Sequence, residues 1–358
     1  MPLKEDLLRP DLFTPRNLPS LTLKDWDYLI RLGRKAEMLG RIHALLDESG
    51  LLRQIPSAPR AHLEAAHIVA LDHERVVRWE VYCIQRALAH VEPSIVLLKG
   101  AAYVMSKLPF ARGRLQSDVD ILVRRSNLNA VESALLEHGW QHVNLEKYYQ
   151  RYYRQWSHEL PPLYHPERET VIDVHHNILP EKGRLHPDQA KLLERAEPIS
   201  GSPCKRMCDA DMVLHAAAHM FQSGDLQQGL RELMDVDGLI RFFGARPTFW
   251  EELHERASEM DLHRPLFYAL RYSRLFLETP IPEFLMSASQ AWQPPRAILR
   301  VMDQLVFRAL PPRLATMETL GSKSARWLLN VRSHWLSMPP LLLARHLIHK
   351  TFKRQFSS

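Results

Sequence analysis

Asp118 and Asp120 stand one residue apart in SDVDILV (117–123), a run rich in β-branched and aliphatic residues. Alternate residues of a strand share a face, so both carboxylates project the same way. Two like charges held side by side repel, and the usual remedy is a cation. A third aspartate, Asp173, stands in another β-branched run, VIDVHH (171–176). Carboxylate oxygens are the ligands that hard Mg²⁺ prefers, so the three aspartates are candidate metal ligands. Upstream, LLKG (97–100) closes an apolar run on a lysine and a glycine. Gly100 permits close backbone approach to a ligand, and a helix starting near Ala101 offers free N–H groups to an anion. Arg112 and Arg114, on the segment ahead of the aspartates, carry forked donors suited to phosphate.

The elements that must position these groups are legible from periodicity. Residues 22–47 read as an amphipathic helix, with Thr22 and Asp25 at capping-box spacing. A second long helix is expected over about 61–90. A short strand over 95–98, a short helix over 101–107, a loop over 109–116 and a strand over 119–123 follow. Ser126 or Asn127 caps a further helix that Gly139 stops. Residues 147–156, rich in Tyr and Arg, and 170–176 read as strands. From about 183 the pattern is helical to the end, with proline breaks near 280, 294, 311 and 339. The expected fold class is α+β. A small mixed sheet over 94–182 lies between a helical region over 1–93 and a helical domain over 183–358.

Composition narrows the class. With 46% hydrophobic and 25% charged residues, the 358-residue chain has the balance of an ordinary globular protein. The three cysteines, Cys83, Cys204 and Cys208, are too few for a disulfide framework. The start has no signal-peptide pattern, and no run is apolar enough to span a bilayer. A cytoplasmic location is expected. The net charge of +6 is concentrated after Glu318, where seven basic residues meet no acidic one. That end is a candidate for weak contact with an anionic membrane surface or a nucleic acid.

Taken in order, strand, Lys-Gly, helix, arginine loop, Asp-x-Asp strand, helix and Asp-bearing strand resemble the DNA polymerase beta-like nucleotidyltransferase superfamily. LLKG, SDVDILV and VIDVHH together are similar to the bacterial "uncharacterised nucleotidyltransferase" family within it, and the helical flanks share the likeness. The resemblance implies transfer of a nucleoside monophosphate from an NTP, such as ATP, to an acceptor. It implies two Mg²⁺ ions, with Mn²⁺ as a substitute, held by Asp118, Asp120 and Asp173. Asp173 would then act as general base or orient an acceptor hydroxyl. Lys99, Gly100, Ala101, Arg112 and Arg114 would bind the nucleotide. Gly100-Ala101 stands where the superfamily has Gly-Ser, so a hydroxyl contact to phosphate is replaced, with Lys99 expected to compensate.

Further candidates surround this core. His175 shares a strand face with Asp173 and could hydrogen-bond a metal-bound carboxylate. His215 and His219, four apart, share a helix face and are candidates to line the cleft. Cys204 and Cys208 precede them, a set of zinc-ligand types at an unusually short spacing. Arg231 and Asp235 form either a surface ion pair or part of the cleft. The acceptor could be a small molecule, a protein or an RNA. A non-catalytic scaffold that binds a nucleotide or a partner is the alternative.

Overall fold

A computed structural model of the chain describes residues 15–339 except 93, 145, 224 and 225, together with residue 343. Helices α1 (Leu23–Lys35), α2 (Leu39–Glu48) and α3 (Ser57–Leu88) come first. The expected helix over 22–47 is therefore two. Glu37 adopts a left-handed backbone (φ +57°), which no helix interior tolerates, and the chain turns there. The Thr22–Asp25 capping box is formed as expected.

The central region runs β1 (Val96–Leu97), α4 (Lys99–Met105), β2 (Asp118–Leu122), α5 (Leu128–Glu137), β3 (Gln141–His142), α6 (Lys147–Trp156), β4 (Leu163–His165) and β5 (Thr170–His175). Then come α7 (Gln189–Glu194), β6 (Glu197–Pro198) and β7 (Lys205–Arg206). The strands form one mixed sheet in the order β3-β4-β5-β2-β1-β7-β6. Two further segments differ from the sequence expectation. Residues 147–156 form the helix α6, because their tyrosines and Trp156 recur three and four residues apart; that period outweighed the β propensity of tyrosine. The segment after 183 is not all helix, since β6 and β7 complete the sheet. They are two residues each, too short to leave a period in the sequence.

The remainder is helical: α8 (Asp209–Ala218), a single π turn (His219–Ser223), α9 (Gly229–Phe243), α10 (Phe249–Glu259), α11 (His263–Leu277), α12 (Glu283–Ser289), α13 (Arg296–Ala309) and α14 (Leu320–Ser337). One continuous apolar cluster joins sheet and helices, from Val81 and Ile84 of α3 through Ile121 and Ile172 to Leu214, Leu239 and Leu270. α8 packs on α4 on one side and on α9, α10 and α11 on the other, so the helical part docks directly beside the Lys-Gly turn. None of the described helices is long and apolar enough to cross a membrane. Of the basic end, Arg326 pairs with Glu318 and Arg332 donates to the Phe221 carbonyl. Arg345, Lys350, Lys353 and Arg354 lie outside the described residues.

Candidate active site

β2 and β5 run parallel and in register, with Asp118 opposite Val171, Asp120 opposite Asp173 and Leu122 opposite His175. Paired residues of neighbouring strands share a face, so Asp118, Asp120, Asp173 and His175 all project to one side. Val119, Ile121, Ile172 and Val174 point the other way and are 0–3% exposed. The alternation in SDVDILV and VIDVHH thus divides the sheet into a core face and a carboxylate face.

Asp120 is the best-held carboxylate. Its Oδ1 accepts from Lys99 Nζ at 2.9 Å and from His175 Nε2 at 3.0 Å. Burial alone would raise its pKa, but Lys99 and His175 outweigh burial and keep it ionised, well below the carboxylate range. Lys99 is likewise penalised by burial and rescued by Asp120, so it remains an ammonium. Its backbone is left-handed (φ +41°), a strain of about 1–3 kcal/mol for a non-glycine residue. The pairing with Asp120 helps hold that conformation. Asp118, at the open end of the strand, contacts Ser117 Oγ at 3.1 Å.

Asp173 differs from both. Burial, then the charges of Asp120 and Glu159, push its carboxyl up to about 7. Its Oδ1 is buried without a hydrogen-bond partner. A buried carboxylate oxygen without a partner is the kind of donor a divalent cation satisfies, although the ligand atoms of Asp118, Asp120 and Asp173 are not all gathered within 4.8 Å of one another. The raised pKa has a measurable consequence in the metal-free protein. A carboxyl that holds its proton more tightly when folded adds stability below its ordinary value near 4, and that contribution is lost as pH rises to about 7. In EDTA, Asp173→Asn should melt above wild type at pH 8, and the difference should shrink towards pH 5. Equal melting temperatures at pH 8 would contradict the burial of a charge at this position.

Asp118 and Asp120, but not Asp173, line a polar cleft of about 110 Å³ between β2 and α4 on one side and α8 and α9 on the other. Lys99, Gly100, Asp118 and Asp120 line the first wall; His219, Arg231 and Asp235 line the second. Gly100 is closely approached: a Cβ there would lie 1.7 Å from Gln116 Oε1 and 2.6 Å from Arg114 Nη1, so both side-chain ends would have to move. The groups pressed against it are these side chains. Ala101 does not line the cleft, being 1% exposed and part of the core.

The two loop arginines separate. Arg114 lines the cleft, but its Nε and Nη2 engage the Asp235 carboxylate at 3.0–3.2 Å. Arg41 of α2 donates to the same carboxylate at 2.7 Å. Burial would raise the Asp235 pKa, yet Arg114 and Arg41 hold it below the usual range. Arg231 pairs with Glu37 rather than with Asp235, so the α9 residues are cleft residues and not a surface pair. Arg112 points elsewhere, to Asp47 at 3.2 Å and Glu48 at 2.9 Å at the end of α2. Gly113, at φ +74°, presses on the Gly40 backbone, which is how α2 fixes the loop between these arginines.

Of the histidines, His175 is 2% exposed and contacts Asp120 as anticipated. His219 lines the cleft, with Nδ1 3.4 Å from Glu232. His215 is buried beneath the cleft, and burial drives its pKa well down, leaving it neutral. Cys204 lies against Gln85 Nε2 at 2.7 Å. The Cys204, Cys208, His215 and His219 set forms no metal-ligating group among the described residues. Arg41, His158 and Glu159 come from distant parts of the chain and carry no local motif, and Gln116, two residues before Asp118, carries no charge or pattern that marks it in the sequence.

Searches of curated proteins and of solved structures give no significant match. A family profile described as uncharacterised nucleotidyltransferase matches residues 22–278, well over half of the 358. The matched span includes the Lys-Gly turn, all three aspartates and both walls of the cleft. The chain belongs to this nucleotidyltransferase family.

Proposed function

We propose that this chain transfers a nucleoside monophosphate from an NTP to an acceptor hydroxyl, with Mg²⁺ bound and pyrophosphate released. The observation that carries the reading is the in-register placement of Asp118, Asp120 and Asp173, with a buried oxygen of Asp173 unpartnered. These three carboxylates hold the divalent ions, which when bound neutralise the triphosphate and the developing charge on the leaving group. Mn²⁺ is the natural substitute. Asp173 completes the ligand set and orients the acceptor hydroxyl. Lys99, relieved of Asp120 when that carboxylate serves as a ligand, is placed to pair with a phosphate oxygen. Arg231 and His219 of the opposite wall offer further donors. Arg114 acts mainly by fixing α9 against the loop through Asp235.

The test is incubation with α-phosphate-labelled NTP, Mg²⁺ and fractionated cell extract. Pyrophosphate release with label transferred to an acceptor is expected. Orthophosphate release with label left in the nucleoside diphosphate would overturn the reading. One observation favours the scaffold alternative: the Lys99 ammonium sits on Asp120, where a cation would otherwise bind. A scaffold would bind NTP equally well in EDTA and release no pyrophosphate.

A further inference from the structure

Behind the carboxylates lies a second group of ligating atoms with different chemistry. Residues 158–160 run antiparallel to the end of β5. The Leu160 N–H donates to Val174 O at 2.8 Å, the His176 N–H donates to His158 O at 2.8 Å, and Glu159 is bridged to His175. This pairing brings His158, Glu159 and His175 together, with one ligating atom of each within 4.8 Å of the others.

The tautomer of His175 makes the group informative. Its Nε2 lies on the Asp120 carboxylate, which only accepts, so Nε2 carries the hydrogen. The other ring nitrogen, Nδ1, is the one left to take a metal. That atom is buried, makes no hydrogen bond, and lies 3.4 Å from Glu159 Oε2, another pure acceptor. His158 Nδ1 is buried and unpartnered as well. A proton on His175 Nδ1 would satisfy Glu159 and leave His158 without a partner. A cation at the centre satisfies all three. The Asp120–His175 contact is also the arrangement in which a carboxylate fixes a ligating imidazole.

We propose that His158, Glu159 and His175 bind one borderline divalent cation of the Zn²⁺ or Co²⁺ class, distinct from the Mg²⁺-type site of Asp118, Asp120 and Asp173. Two imidazoles and one carboxylate are ligands for such ions, whereas Mg²⁺ prefers an all-oxygen shell. Three protein ligands leave a fourth tetrahedral position for water or another small donor. The ion clamps residues 158–160 to β5 and, through His175, fixes the orientation of Asp120. The site does not depend on the nucleotide reading and is testable without NTP.

The experiment is a Co²⁺ titration of the full chain, followed by visible absorption. One equivalent should give the intense d–d bands of four-coordinate cobalt and persist in excess Mg²⁺. Glu159→Gln and His158→Ala should each lower Co²⁺ affinity by about a hundredfold or more. Asp118→Asn should leave the bands in place. Glu159→Gln nearly preserves size, so it decides the matter if His158→Ala does not fold. Bands untouched by either substitution would overturn the proposal. So would a weak octahedral spectrum that Mg²⁺ displaces, or a thiolate charge-transfer band lost in Cys204→Ser.

Discussion

Asp118→Asn should abolish metal-dependent NTP binding while leaving the metal-free protein as stable as wild type, or slightly more so. Asp118 is half-buried at the mouth of the cleft, and its carboxylate accepts from the hydroxyl of Ser117, next to it in the chain. Removing its charge relieves repulsion with Asp120 and Asp173. Asp120→Asn should remove binding too, but at a cost in stability. It strips the partner from a Lys99 ammonium that is 21% exposed and from a buried His175. Breaking a buried ion pair from one side costs about 3–5 kcal/mol, and the partial exposure of Lys99 argues for the lower end. Denaturant unfolding in EDTA, alongside NTP titration, separates the two effects. Equal stability losses for both substitutions would contradict the difference in their surroundings.

The largest stability effect should come from Asp235, which need not touch substrate at all. Its side chain is 7% exposed and bridges Arg41, at 5%, and Arg114, at 10%. Those two guanidinium groups come from α2 and from the loop ahead of β2, while Asp235 belongs to α9. One carboxylate therefore ties three parts of the fold together at the cleft. Asp235→Ala leaves two buried positive charges facing each other, so a loss of at least about 3–5 kcal/mol is expected. Arg41→Ala, which leaves Arg114 to neutralise Asp235, should cost less. Denaturant midpoints would show this order, and a double-mutant cycle of Arg41 and Asp235 should give coupling on the order of 1–3 kcal/mol. A loss below about 1 kcal/mol for Asp235→Ala would mean that the bridge is solvated rather than buried.

How far the sequence could be read follows from the range of each interaction. The carboxylate face was legible because β2 and β5 each alternate within a few residues, and alternation fixes which side chains share a face. The Lys-Gly turn was legible for a related reason: the apolar run ends there abruptly. Positions set by pairing across the chain were not. Arg114 and Arg112 look alike in sequence, yet only Arg114 lies opposite Asp235, 121 residues away. Ala101 and Gly100 are neighbours, but the first turn of α4 buries one in the core and leaves the other on the cleft wall. His158 and Glu159 gain meaning only from the antiparallel pairing that places them beside His175. In α6, tyrosine propensity suggested a strand, and the three-and-four spacing of the same residues decided for helix.

Asp118, Asp120 and Asp173 are proposed as a divalent-metal site for a nucleoside triphosphate. Calorimetric titration with ATP, GTP, CTP and UTP, in Mg²⁺ and in EDTA, tests it most directly. Binding of at least one NTP is expected in Mg²⁺ only, and it should be lost in Asp118→Asn while the protein stays folded. Binding that is equal in EDTA, or unchanged in Asp118→Asn, would contradict it.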